Sequence, residues 1–484
     1  MAAPVKMRLA MLGTVAWLLL RGAAPVAEPA FTSVFPPEEF AAHRAGLVDL
    51  IGDGIAVVQG APEPPAEIPF RQSNNFFYLT GVEVPRALLL VDGRSKRSTL
   101  FLPAATDRRT RMFGEMLAPG ETAARLTGIE AVVDRERFGD ALRQAVGDGR
   151  TVYVPHRPDA VGGGSAGDAV ARAAATAADP WDGRTSRTAA FLQRLQAAAP
   201  AAAPADLDPI LDRLRLVKTP REIARIREAT AIADEGILEA MREARPGLRE
   251  YELQAVAEYV FKKHGSQGPA YFALVATGPN TIYTHYHRGT RVLADDDLVQ
   301  VDYAPDCGYY VSDVTRVFPA SGTFTPWQRE WYGIYLRLYR DLMESVRPHV
   351  PVRAVFAAAA ERMQADLVSY RFSDAAIQEA AARLVQRYRE NPGRSLGHWV
   401  GMEVHDVGGV QPTLEPGEIF TIEPQLTLPA GHLGIRLEDV ILVTETGYEQ
   451  LSAELPLDVL AIERVMREPG ISDLRRARDA RRHD

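Results

Sequence analysis

The sequence predicts two domains of different class, an α/β N-terminal domain followed by an α+β C-terminal domain. Three observations carry that prediction. With 484 residues the chain is long enough for two domains of ordinary size, each with its own core. Its first part alternates short apolar strands with Ala/Arg/Leu-rich helical stretches. A break rich in alanine and proline, AAAPAAAPADLDP at 197–209, then precedes a region that mixes long helices with strands.

Taken in order, the chain opens with Lys6 and Arg8 ahead of the uncharged run LAMLGTVAWLLL, followed by small residues in RGAAPVAEPA. That is the layout of a secretory signal over residues 1–27, and it predicts export to the periplasm or the medium. If the segment is not a signal, the expectation is a cytoplasmic protein. The run is too short to span a bilayer, so no stable membrane span is expected. Residues 28–200 form the α/β domain, with strands in GIAVVQG (54–60), RALLLV (86–91), STLFLP (98–103) and TVYVP (151–155). The Gly- and Ala-rich stretch 161–184 has little periodicity and reads as a surface loop, and 197–209 reads as a linker. The C-terminal domain, 206–467, declares itself through a capping box: Thr219 lies three residues before Glu222, with Pro220 at the first helical position. Residues 468–484, including SDLRRARDARRHD, form a charged tail.

Bulk composition narrows the function classes. The chain is 46% hydrophobic and 24% charged, with a net charge of −8. No basic cluster lies inside the folded part, so a nucleic-acid partner is not expected. The single cysteine, Cys307, excludes a disulfide framework and a cysteine-based zinc site.

The chemistry collects in the C-terminal domain. In VDYAPDCGYYVSDVTRVFP (301–319), strand-like runs flank turn-forming residues. Folded about Cys307–Gly308, the hairpin sets Asp302 opposite Asp313, an arrangement that destabilises a sheet unless something lies between the charges. An exposed hairpin with two solvated acids is one reading, but Val299, Val301, Val314 and Phe318 argue that the strands are buried. Glu423 ends the apolar strand of IFTIEPQ, and Glu438 sits inside GIRLEDVILV. Histidines stand nearby in THYHRG (His285, His287) and SLGHWVGMEVHDVGG (His398, His405). Four carboxylates on buried strands cannot be left uncompensated in a low dielectric, and no lysine neighbours them in sequence. Two divalent cations answer that charge. Oxygen-rich ligation with one imidazole suits Mn²⁺, with Co²⁺ or Zn²⁺ as alternatives. The reaction implied is metal-assisted hydrolysis.

These residues, in this order and spacing, resemble the dinuclear pita-bread metallopeptidases, the family of methionine aminopeptidase, prolidase and aminopeptidase P. The resemblance implies that Asp302 chelates one ion, that Asp313 and Glu438 bridge both, and that His398 and Glu423 complete the second. It makes Glu423 the general base, His285 and His405 the substrate-side histidines, and Arg436 the arginine beside the bridging Glu438. PFRQSNNFFYLTGVEVPRALLLV (69–91) and RMFGEMLAP resemble the N-terminal domain of aminopeptidase P and prolidase. The activity implied is hydrolysis of the bond between an N-terminal residue and a penultimate proline, on short peptides. A prolidase-type dipeptidase is the nearest alternative, and a metal-free peptide-binding module is a more distant one. A homo-oligomer, dimer or tetramer, is usual for the resemblance. One departure stands out: Arg394 occupies a position where aminopeptidase P usually has a histidine, and His287 stands as an addition beside His285.

Overall fold

A computed structural model describes residues 31–65, 68–147, 149–160, 164–390, 396–409 and 413–473. The signal-like segment, Arg394 and the last part of the charged tail lie outside the described residues.

The N-terminal sheet has six strands, in the spatial order Ala131–Asp134, Arg97–Leu102, Leu88–Asp92, Ile55–Gln59, Thr151–Val154 and Ala203–Asp206. The middle pairings are antiparallel, and the three pairings toward the edges are parallel. Successive side chains of a strand point to opposite faces. Ile55 and Val57 therefore meet Leu142, Val146 and Leu195 on one side, while Ala56 and Val58 join the main core on the other. Burial on both faces explains why these strands read as unbroken apolar runs.

Two expectations fail here. The stretch 161–184, expected as a loop, contains the helix Ala166–Ala178, capped by Ser165, whose hydroxyl accepts from the Asp168 N–H. Alanine favours helix without any apolar stripe, and this helix buries only Ala169 along its length, so periodicity gave no sign of it. The linker expected at 197–209, with the first domain ending at 200, instead contains the edge strand Ala203–Asp206. Proline is tolerated there because an edge strand can leave one side of its ladder unpaired.

The C-terminal domain repeats one motif. Helices Pro220–Glu243 and Glu250–Lys263 pack together beside the sheet Thr315–Pro319, Leu298–Asp302 and Leu274–Thr277. Helices Val352–Ser369 and Ala375–Glu390 pack likewise, followed by the sheet Ile419–Ile422, Asp439–Val443 and Tyr448–Gln450. The Thr219 capping box forms as expected. The two sheets are stitched by one bridge: Thr315 N–H donates to the Glu438 carbonyl at 3.3 Å, and Glu438 N–H to the Thr315 carbonyl at 3.1 Å. Each sheet thus brings one acidic hairpin to a shared seam.

The register of the first hairpin differs from the expected one. Asp302 pairs with Thr315, not with Asp313. The turn is Gly308–Tyr309, both with positive φ, between the paired Cys307 and Tyr310. Non-glycine residues rarely adopt that conformation. Tyr309 is held in it by stacking on Phe77 at 3.6 Å and by its hydroxyl, which donates to Glu83 and accepts from the Gln72 N–H. All three partners belong to the other domain and are invisible to a local reading.

Candidate metal centre and active site

Despite the shifted register, the two aspartates meet. The Tyr271 hydroxyl lies 2.7 Å from Asp302 Oδ1 and 2.6 Å from Asp313 Oδ1. A phenol has one hydrogen to donate, so it bonds only one of them at a time. His398 Nε2 stands 3.3 Å from Asp313, 3.3 Å from Glu423 and 3.7 Å from Glu438. Arg436 pairs with Asp302 and stands 3.9 Å from Glu423.

Local sequence explains the placement. Extended chain keeps a period of two just past the strand ends, so Glu423 follows Thr421 and Asp313 precedes Thr315 on one face. Thr421 Oγ1 donates to Glu423 at 3.2 Å and accepts from the His398 N–H, while Thr315 Oγ1 donates to Glu438 at 2.7 Å. Gly397 lets the His398 loop lie against the strand, since a Cβ there would fall 2.0 Å from the Thr421 carbonyl oxygen. These second partners, and above all Tyr271, escaped the sequence reading. The Asp-x-Thr and Thr-x-Glu spacings were the available signal for two of them.

Charge in the site is strained without cations. Burial, then the nearby Asp302, pushes Asp313 up to about 6. Burial, then Asp313 and Asp302, pushes Glu438 up to about 7, and burial with Glu438 does the same to Glu423. Burial would lower His398, but its carboxylate acceptors hold it well above the ordinary histidine value. Burial and the neighbouring His398 push His405 down to about 4.

The donor set fits divalent ions. Asp313, His398 and Glu438 each present a ligand atom, all within 4.8 Å of one another. Glu438 Oε1, on a residue only 1% exposed, accepts no hydrogen bond among the described residues, His398 Nε2 standing 3.7 Å away. A buried anionic oxygen without a donor costs free energy unless a cation meets it. Asp302 and Glu423 line the same cavity, of about 330 Å³, together with His285, His405 and Arg436. All eight site residues expected from sequence therefore converge. His287 does not line the cavity; it faces Phe272 at the surface, ring centroids 4.9 Å apart. The N-terminal domain contributes Gly164, Ser165 and Asp168 to the cavity wall, which sequence reading did not foresee.

Comparison with known proteins agrees with this geometry. A model of metallopeptidase family M24 matches residues 224–445, and one of the aminopeptidase P N-terminal domain matches residues 40–153. The chain is 31% identical to the Xaa-Pro aminopeptidase of Escherichia coli (strain K12), over 89% of this chain and 97% of that protein. It is 28% identical to the Xaa-Pro aminopeptidase of Haemophilus influenzae, over 91% and 99%. The structure of E. coli aminopeptidase P with the inhibitor Pro-Leu superposes with a TM-score of 0.71 at 29% identity, covering 89% of this chain and 98% of that one. Fold and site together define a pita-bread metallopeptidase. The chain belongs to metallopeptidase family M24, with the N-terminal domain of the aminopeptidase P branch. Divalent metal ions at this site follow from that membership.

Proposed function

We propose that the protein is an Xaa-Pro aminopeptidase, releasing the residue that precedes a penultimate proline. The observation that carries the reading is a carboxylate-rich centre, with a Glu438 oxygen that accepts no hydrogen bond among the described residues, beneath a wall supplied by a second domain. A wall there would favour peptide ends over chain interiors, and both relatives bear this activity in their names.

Asp302, Asp313, His398, Glu423 and Glu438 would hold two ions. Mn²⁺ is our assignment, because carboxylates with one imidazole form a hard donor set, and Co²⁺ or Zn²⁺ are the alternatives. Bound ions would neutralise the carboxylates, polarise the scissile carbonyl and acidify the attacking water. Glu423 takes the proton of that water on its carboxylate and returns it to the proline nitrogen as the C–N bond breaks. That nitrogen is a tertiary amide without N–H, so the delivered proton is its only one. His405, neutral at pH 7, donates one N–H to the carbonyl oxygen as negative charge develops there, and His285 supports the same oxygen. Arg436, paired with Asp302, holds that carboxylate in position.

The test compares an Xaa-Pro dipeptide with an Xaa-Pro-Yaa tripeptide. Release of the first residue from the tripeptide supports the reading; cleavage of the dipeptide alone identifies a prolidase-type enzyme. We also propose export, resting on residues 1–27, and a homo-oligomer, dimer or tetramer, resting on the family resemblance. N-terminal sequencing of protein from cell fractions and light scattering test these two.

A further inference from the structure

Asp168 stands in the first turn of the helix Ala166–Ala178 and lines the cavity from the N-terminal domain. Its backbone N–H is held by Ser165 Oγ at 3.0 Å. Its carboxylate has no hydrogen-bond or ion-pair partner among the described residues, and the residue is exposed. The position is nonetheless fixed. Ala166 N–H donates to Glu403 Oε2 at 3.0 Å, and Glu403 Oε1 accepts from Asn74 and Arg215, each at 3.2 Å. Glu403 is 3% exposed and lies two residues before His405, so one buried carboxylate ties the start of this helix to the catalytic loop. Asp168 and His405 line the same cavity.

The charge of the cavity singles this residue out. Two divalent ions would match the four charges of Asp302, Asp313, Glu423 and Glu438, with Arg436 beside Asp302 adding a positive charge. Among the cavity-lining carboxylates, Asp168 alone then keeps a charge free for substrate. A peptide whose N-terminus enters the site carries an α-ammonium, and its first side chain can add an ammonium or guanidinium.

We propose that Asp168 is a specificity residue that receives a cationic group of the substrate's first residue. The proposal rests on the aminopeptidase reading above. Both candidate groups, the α-ammonium and the side-chain cation of lysine or arginine, satisfy a carboxylate in the same way. The bland role of an aspartate here is to favour its own helix N-terminus, which affects folding but not the ranking of substrates.

The experiment uses the Mn²⁺-loaded enzyme and its Asp168→Asn variant with Lys-Pro-Pro and norleucine-Pro-Pro, which differ in the side-chain charge. If the side chain is read, the lysine-to-norleucine ratio of kcat/KM falls about fivefold in the variant, the upper end for an exposed ion pair. Raising the ionic strength to about 0.5 M then shrinks the parent's ratio toward the variant's. If the α-ammonium is read, KM rises for both peptides and the ratio holds. Unchanged KM values for both peptides, or a fall confined to kcat, would overturn the proposal. Failure of the aminopeptidase reading shows separately, as no turnover of either peptide by the parent enzyme. The same comparison is then made on calorimetric binding of the two peptides.

Discussion

Two buried ionic clusters flank the same loop of this domain and solve one physical problem in opposite ways. In the first, Arg215 bonds Glu403 and Asp406, and Lys218 bonds Asp406 at 2.9 Å, with side chains no more than 4% exposed. Two cations meet two anions inside the chain. Burial raises Asp406, but Lys218 and Arg215 outweigh it and hold the carboxyl below its ordinary value. Glu403, which meets one cation rather than two, is pushed up by burial. In the second cluster, Asp302, Asp313, Glu423 and Glu438 meet one arginine and one histidine, and three of the four are pushed up to about 6 or 7. The first cluster balances its own charge as folded and serves architecture, tying both domains to the His405 loop. The second lacks positive charge, and that shortage suits it to hold cations.

Breaking the second cluster should therefore end function, while breaking the first should weaken the fold. The largest effect is expected for Asp313→Asn, which removes a shared anionic ligand and leaves no measurable hydrolysis in a steady-state assay. Glu423→Gln keeps an oxygen ligand but cannot take a proton, so kcat should drop about 10³-fold with an unchanged melting temperature. Asp406→Asn leaves Lys218 and Arg215 underpaired and should cost about 3 kcal/mol in a denaturant titration. That variant should still bind two ions.

The smallest effect is a pH dependence of stability. In the metal-free protein the raised carboxyls keep protons that the unfolded chain has already released above its ordinary carboxylate pKa of about 4. Their contribution is whole below that value and is lost as pH rises through about 6 to 7. His398, raised above its ordinary value, acts in the same direction at higher pH. Scanning calorimetry should show the metal-free melting temperature falling between about pH 5 and pH 8 and the increment from Mn²⁺ growing over that window. A flat metal-free profile would mean the carboxylates are not strained.

The sequence made the second cluster legible because its carboxylates end or adjoin apolar strands, Asp302 within one and Asp313, Glu423 and Glu438 just beyond strand ends, where a buried acid has little other reason to be. It left the first cluster unread, since Arg215, Lys218 and Glu403 look like ordinary surface charges until packing of the two domains buries them. The hairpin shows a similar limit. Strand composition placed Asp302 and Asp313 on adjoining segments, but the turn depends on Tyr309 stacking against Phe77 from a distant part of the chain. Tyr271 was missed for the same reason: nothing local marks a tyrosine whose hydroxyl spans two aspartates. The helix Ala166–Ala178 was missed because it buries almost nothing, and with it the wall that carries Asp168.

The contrast between the clusters is tested most directly by counting ions. Chelator-stripped parent protein and Asp313→Asn are titrated with Mn²⁺ in a calorimeter, and bound metal is measured after desalting. We expect two equivalents per chain for the parent and neither tightly held in the variant. Two tightly bound ions in Asp313→Asn, with near-normal turnover, would contradict the assignment of this cluster as the metal centre.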